Sequence, residues 1–596
     1  MTRMEDHGLP QATDPFAHLH DEGFEALYEN PLLTERDAVF AGRAWASLDG
    51  DWKFVLDPFR EGLRQRWFAF DDTPIEDWTV PRDYDDGAWQ TLPVPGCWNL
   101  ARPDLFRYEG AAWYSREFDA EPAPDARLIL RAGAISGRAR IFLNGRFLGL
   151  HRGGFTPVFA DLTPALVPGR NRLMIEVDTT RRPDGVPMHH VDWFNYGGLF
   201  REVAIAHVPN PCITRFHLRL EGGLVHVEVG LSAPVDGTAR LEMPGLGSGE
   251  VAVTSGAGAT RFDWVPELWS PESPRLHDST LTFGADTVSD RVGFRRIERQ
   301  GTQILLNGQP LRLRGICVHE DDRESGRVTS EADIRRRFAH IRELGGNAAR
   351  LAHYPHHERA AQIADEEGIL LWEEVPVYWA IAFDNPETLY DARTQLAELI
   401  RRDENRASVI LWGIGNENAD TDARLAFMRA LAATVRALDP SRLVAAACLI
   451  DREKFRIADR LAEDLDVIGV NEYFGWYEPG LENLERLLGN SSPDRPVVIS
   501  ETGAEAAPGL RGEATQLFTE DMQAAMLVGQ VARAAAMPWM AGIFPWLLYD
   551  FRSERRQTRH QRGWNRKGVI AEDKATRKLG FAALAAAYRD HFGAET

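Results

Sequence analysis

At 596 residues the chain is too long for one ordinary domain, and with 44% hydrophobic residues it has the apolar content for three or four. Aspartate and glutamate outnumber lysine and arginine by 89 to 68, and the resulting net charge of −21 argues against nucleic acid or an anionic membrane surface as a partner. The four cysteines, Cys97, Cys212, Cys317 and Cys448, are scattered, so neither a disulfide framework nor a metal cluster is expected and no cofactor is implied.

The N-terminal stretch 1–15 is polar, lacks an apolar signal core and is expected to lie outside the folded body. No run reaches transmembrane length, and a cytoplasmic location is the expectation. The first half of the chain reads as β structure. Short apolar runs at 52–56, 127–130, 139–143 and 171–177 alternate with turn signals, including Asn144-Gly145 and Pro168-Gly169. The 17 tryptophans, several in this half, fit a sugar-binding sandwich and an ordinary aromatic core equally well. After His207-Val208-Pro209-Asn210-Pro211 the pattern restarts, and a second all-β segment extends to Arg295, the size of an immunoglobulin-like sandwich.

From about residue 300 strand-like and helix-like runs alternate. Apolar runs stand at 311–316, 348–352, 369–375, 408–414, 444–448, 467–470, 496–500 and 542–548. Amphipathic helices are predicted between most of them, among others at 331–344, 422–438 and 515–535, and a last one at 574–592 closes the chain. Eight such units predict a (β/α)₈ barrel. The expected domains are therefore 1–207, an N-terminal β-sandwich; 208–297, an immunoglobulin-like sandwich; and 298–596, the barrel.

Two carboxylates stand out in this frame. Glu417 follows the fourth run in Ile414-Gly415-Asn416-Glu417-Asn418, and Glu501 follows the seventh in Ile499-Ser500-Glu501-Thr502-Gly503. The C-terminal ends of barrel strands are where such folds keep their chemistry. Each glutamate alone could be a capping or surface residue. Two facing each other across a barrel mouth suit glycoside cleavage, one as acid and one as nucleophile.

The motifs in order resemble glycoside hydrolase family 2 over nearly the whole chain. The family's sugar-binding sandwich is echoed by Leu48-Asp49-Gly50-Asp51-Trp52, Val94-Pro95-Gly96-Cys97-Trp98-Asn99, Tyr108-Glu109-Gly110, Trp113-Tyr114, Leu143-Asn144-Gly145 and Gly153-Gly154-Phe155. Phe194-Asn195-Tyr196-Gly197-Gly198 is similar to the stretch ahead of its immunoglobulin-like domain. The start of its barrel is matched by Leu306-Asn307-Gly308, Arg314-Gly315-Ile316 and His319-Glu320-Asp321, followed by Asn347, Arg350 and His353-Tyr354-Pro355. Within the family the chain resembles the β-glucuronidase branch, whose uronate-recognising Asn-x-Lys motif is similar to Asn565-Arg566-Lys567. Its tyrosine-bearing loop is similar to Asn471-Glu472-Tyr473-Phe474-Gly475-Trp476-Tyr477. Two departures stand out. Thr502 replaces the branch's usual tyrosine, and the segment between Val375 and Asp403 is short where the branch often carries a lid loop, which implies a more open site.

The resemblance makes Glu417 the acid/base and Glu501 the nucleophile of a retaining mechanism, and Asn416 the ligand of the sugar hydroxyl beside the anomeric carbon. Asn416 could instead cap a strand end. Tyr473 either holds the Glu501 carboxylate or packs in the core, and Tyr477 has the same two readings. Trp546 is a sugar platform by resemblance and a core aromatic otherwise. His319 and His353 bind sugar hydroxyls or satisfy each other. Asp192 reaches the sugar from the N-terminal domain or is a solvated loop residue. The basic stretch 552–577 is unusual in so acidic a chain. A charge run is commonly a solvated face, but a uronate carboxylate in a low-dielectric site needs a cation and a donor amide, which Lys567 and Asn565 would supply, with Arg562 as a second cation.

The expected activity is thus hydrolysis of terminal β-D-glucuronides in a carbohydrate substrate. A β-galacturonidase, a β-galactosidase of the same fold and a non-catalytic glycan-binding protein remain as alternatives, as does an inverting mechanism. Assembly into a homo-oligomer through the β domains is a further expectation.

Overall fold

The computed structural model describes residues 27–69 and 86–592; the polar 1–15 segment lies outside the described residues. The N-terminal sandwich packs two antiparallel sheets. One has six strands in the order Gln90–Val94, Gly50–Asp57, Ala111–Ala120, Gly169–Asp178, Arg138–Leu143 and Arg146–Arg152. The other has four, in the order Ala46–Ser47, Val203–Pro209, Ala126–Ala132 and Val158–Asp161. Trp52, Leu130, Ile141 and Ile175 belong to the apolar layer of this sandwich. Asn144 and Gly145 form the hairpin the sequence predicts, both with positive φ (49° and 81°), the conformation a two-residue turn between twisted strands requires.

A second sandwich follows. A three-stranded sheet (Ile213–Glu221, Leu224–Leu231, Ala257–Phe262) accompanies a four-stranded one in the order Gly247–Val253, Gly237–Met243, His277–Phe283 and Asp286–Val292. Strand alternation is visible in Leu224–Leu231, where Val225, Val227 and Val229 are buried between more exposed neighbours.

A short meander, Ile297–Gln300, Gln303–Leu306 and Gln309–Leu311, leads into a closed barrel of eight parallel strands. The first four strands are Leu313–Val318, Ala348–Leu351, Leu370–Glu374 and Val409–Asn416. The last four are Leu443–Cys448, Val467–Asn471, Val497–Glu501 and Met540–Ile543. The helix expected at 331–344 spans Glu331–Glu343 behind a Ser330–Asp333 capping box, and that expected at 422–438 is Asp422–Leu438. Boundaries shift elsewhere for local reasons. Leu311 pairs in the meander with Ile304, so the first barrel strand starts at Leu313. The eighth strand is Met540–Ile543 rather than 542–548, because Pro545 has no N–H for a ladder. The helix expected from 515 starts at Glu520, where the Thr519 side chain caps the Met522 N–H, and the last helix begins at Leu579 rather than 574.

Candidate functional site

The C-terminal ends of the barrel strands converge on one buried polar network. Arg350, at the end of the second strand, is fully buried and donates in several directions at once. Its Nη1 donates to Glu501 Oε1 at 2.8 Å and to the Ser500 carbonyl at 3.1 Å. Its Nε and Nη2 grip Glu374, the last residue of the third strand, at 3.1 and 3.0 Å. Nη2 also donates to Asn416 Oδ1 at 2.8 Å. The Asn416 oxygen receives a second bond, from Asn471 Nδ2 at 3.1 Å, and Asn471 is in turn held by the Ser500 hydroxyl at 2.7 Å. With its oxygen locked from two sides, Asn416 has only its amide N–H₂ left to offer; Nδ2 is buried and has no acceptor among the described residues.

Glu501 ends the seventh strand. Its Oε2 accepts the Tyr473 hydroxyl at 2.8 Å. Burial pushes its carboxyl up to about 7, against the pull of Arg350 and the Tyr473 hydrogen bond and with a further push from Glu417. Glu417 lies one residue beyond the fourth strand and is partly exposed. Its Oε2 accepts the indole N–H of Trp379 at 2.7 Å. Glu417 and Trp379 both sit in the left-handed region, with φ of 52° and 55°, which costs a non-glycine residue about 1–2 kcal/mol. The surrounding backbone holds them there: Trp379 N–H donates to the Asn416 carbonyl, Glu417 N–H to that of Ala447, and Asn418 Nδ2 to the Trp379 carbonyl, at 2.9, 2.8 and 2.7 Å.

Aromatic side chains and two histidines form one wall. His353 Nδ1 bonds Glu374 at 2.7 Å, and the ring stacks on Trp546 at 4.9 Å. His319 bonds the Tyr354 hydroxyl at 3.0 Å and meets Trp546 edge-on at 5.1 Å. Burial drives both imidazoles well below their usual range, so each is neutral at pH 7. The N-terminal sandwich contributes Trp193, whose ring lies 4.9 Å from that of Tyr378, and its neighbour Asp192.

Asp192 is buried rather than solvated. It accepts the Ser553 hydroxyl at 2.6 Å, pairs with Arg556, and lies 3.5 Å from Asn565 Nδ2. Lys567 is only 2% exposed, with Nζ 2.7 Å from the Tyr477 hydroxyl and 3.3 Å from Glu505. Arg556 Nη1 donates to the same Tyr477 oxygen at 2.9 Å. Two cations therefore converge on one oxygen of a residue that is 54% exposed. Lys567 also faces the Tyr473 ring at 5.6 Å, one phenol away from Glu501.

Of the residues singled out by sequence, Glu417, Glu501, Asn416, His319, His353, Tyr473, Tyr477, Trp546, Asp192, Asn565 and Lys567 are linked through this network. Arg562 is not. It is exposed, and its Nε donates to the Arg559 carbonyl at 3.0 Å; the cation turned toward Asp192 and Tyr477 is Arg556. Sequence reasoning missed Glu374, Trp379 and Glu505, and it named Arg350, Asn471 and Arg556 within motifs or the basic stretch without giving them a role. Asn471 carries the signal that marked the two glutamates, a polar residue directly after an apolar run, whereas Glu374 lies inside the 369–375 run. Arg556 carries only the charge of the basic stretch 552–577, which does not single it out, and the loop residues Trp379 and Glu505 carry none.

Residues 45–209 match the model of the glycosyl hydrolases family 2 sugar binding domain, and residues 297–582 that of the family's TIM barrel domain. The chain is 29% identical to a β-glucuronidase from Paenibacillus borealis over 585 residues, covering 88% of this chain and 94% of that protein. The human β-glucuronidase is 28% identical, with 90% of each chain covered. Among solved structures, a family 2 β-galacturonidase from Eisenbergiella tayi bound to galacturonate superposes with a TM-score of 0.79 at 27% identity, over 92% of this chain and 97% of that one. A Ruminococcus gnavus β-glucuronidase in complex with uronic isofagomine gives 0.80 at 25% identity, over 92% and 98%. Matched by both domain models across most of its length, the chain belongs to glycoside hydrolase family 2 and is a glycosidase.

Proposed function

We propose that the enzyme is a retaining, exo-acting β-glucuronidase in which Glu501 attacks the anomeric carbon and Glu417 protonates the leaving oxygen, then deprotonates the incoming water. Double displacement needs one carboxylate held ionised and aimed, and one carboxyl near the leaving group. The Arg350 guanidinium and the Tyr473 hydroxyl suit Glu501 to the first task, since both favour the charged form. Glu417, partly exposed and held by an indole N–H on one oxygen, keeps the other oxygen for the leaving group. The amide of Asn416 is oriented as a donor to the hydroxyl beside the anomeric carbon, a contact that strengthens as positive charge develops on the ring.

The observation that carries the glycone assignment is the convergence of Lys567 and Arg556 on the Tyr477 hydroxyl. Two cations donating to the hydroxyl of one exposed tyrosine make a site for an oxyanion, and a uronate carboxylate supplies one where a neutral sugar's hydroxymethyl does not. The same clamp serves a β-galacturonide, and a solved relative was crystallised with galacturonate, so the fourth-carbon epimers must be compared directly. The test is kcat/KM on 4-nitrophenyl β-D-glucuronide, β-D-galacturonide and β-D-galactoside, together with the anomer first released, read by NMR. Glucuronide preference with β-anomer release is expected. Galactoside preference overturns the clamp, and release of the α-anomer overturns the retaining mechanism.

A further inference from the structure

Adjacent arginines Arg555 and Arg556 point to different places. Arg556 turns inward to Asp192, Glu505 and the Tyr477 hydroxyl. Arg555 is exposed, and its guanidinium carbon lies 4.6 Å from the ring centroid of Trp379. This is the Trp379 whose indole N–H is bound to Glu417. The acid must stand beside the glycosidic oxygen, so groups flanking Glu417 on the solvent side border the leaving group rather than the glycone. Trp379 and Arg555 are such groups.

From these contacts we infer that Trp379 and Arg555 form a leaving-group subsite selective for an anionic group, a carboxylate or a sulfate, on the aglycone. The inference rests on the reading of Glu417 as the acid. Three observations support it. First, Trp379 is held in a left-handed backbone conformation by hydrogen bonds on both sides of its peptide unit, so the ring position is fixed before any ligand arrives. Second, Arg555 pairs with no carboxylate among the described residues. Stacked on an aromatic face, it keeps its donors free for an acceptor in the mouth of the site. Third, Arg559 and Arg562 on the same loop are also exposed and unpaired with any carboxylate among the described residues. In a protein with a net charge of −21, a loop with three such arginines opposes the overall field, which would otherwise repel an acidic substrate.

The test compares two glucuronides that differ only in leaving-group charge, those of 4-methylumbelliferone and of 7-hydroxycoumarin-4-acetic acid, with wild type, Arg555→Gln and Arg555→Lys. The ratio of kcat/KM for the anionic to the neutral leaving group is expected to fall about fivefold in Arg555→Gln, to recover in part in Arg555→Lys, and to decline with added salt in the wild type. An unchanged ratio overturns the subsite, and so does an equal loss on both substrates, which marks Arg555 as merely structural. Because the ratio compares two leaving groups on one glycone, it is read equally on galacturonides or galactosides if one of those is the sugar cleaved. A wrong glycone thus shows as a change of substrate series, and a wrong subsite as a flat ratio. Calorimetry with a β-linked di-uronide on Glu501→Gln reads the same contact without turnover. Where the coumarin ratio falls, weakening by Arg555→Gln of the disaccharide but not of free uronate identifies a sugar acid as the occupant, and a disaccharide bound equally by both forms identifies an aryl acid.

Discussion

The Arg350 guanidinium donates to Glu501 at 2.8 Å and to Glu374 at 3.0 Å, so one buried cation serves two buried carboxylates. Without it, burial would leave Glu501 largely protonated near neutrality, and a protonated carboxyl is no nucleophile. Because Glu501 must be ionised to attack, kcat/KM should fall as pH drops through about 7. Removing a group that favours the ionised form raises that pKa. Arg350→Gln and Tyr473→Phe should therefore both move the acid limb to higher pH, Arg350→Gln by about one pH unit or more. The pH–rate profiles of both variants check this; an acid limb that stays in place or moves down would show that another group governs it.

The bond from Trp379 to Glu417 leads to a different signature. Trp379→Phe keeps an aromatic ring, smaller than the indole, but deletes the N–H that fixes one carboxyl oxygen. Proton donation matters most when the leaving group is a poor one. The variant should lose about tenfold in kcat/KM on an alkyl glycoside and much less on a dinitrophenyl glycoside. A plot of log kcat/KM against leaving-group pKa should steepen. An equal loss at every leaving group would assign Trp379 to packing alone.

What the sequence makes legible here, and what it hides, follow from range of interaction. The barrel is legible because apolar runs alternate with amphipathic helices, a local pattern. Glu417 and Glu501 are legible because each closes such a run. The network around Arg350 is not, since Arg350, Glu374, Asn416, Asn471 and Glu501 come from five strands and meet only when the barrel closes. The choice among Arg555, Arg556 and Arg562 is equally hidden. It depends on how the 553–563 loop turns back on itself through the Ser553–Gly563 and Gly563–Arg556 backbone bonds, and that turn leaves no periodic trace.

Gly413, within the fourth strand, shows how closely the network is packed. A Cβ there would lie 2.5 Å from Glu374 Cβ and 3.0 Å from Glu374 Oε2, displacing the residue that shares Arg350 with Glu501. Gly413→Ala should destabilise the protein by about 1–3 kcal/mol, the usual range for an overpacked core. It should also lower kcat by more than that stability loss explains. Thermal unfolding and kcat measured well below the melting temperature separate the two effects; full activity with unchanged stability would mean that the backbone absorbs the methyl group.

The last prediction separates structural from recognition roles at Lys567. Its ammonium lies 3.3 Å from the buried Glu505, so Lys567→Met removes a cation from a buried carboxylate as well as from the glycone clamp. Breaking a buried pair from one side costs about 3–5 kcal/mol, whereas neutralising both partners is nearly harmless. Glu505 keeps the Gln561 amide, at 2.8 Å, and the more distant Arg556, which should hold the cost near the lower end. Lys567→Met should therefore lower the melting temperature and collapse the preference for a uronide over a galactoside. Adding Glu505→Gln should restore most of the stability but not the preference, because an amide cannot replace the cation that a carboxylate needs. Recovery of the uronide preference in the double variant would show that Lys567 acts by supporting Glu505 and leave Arg556 as the cation that reads the sugar acid.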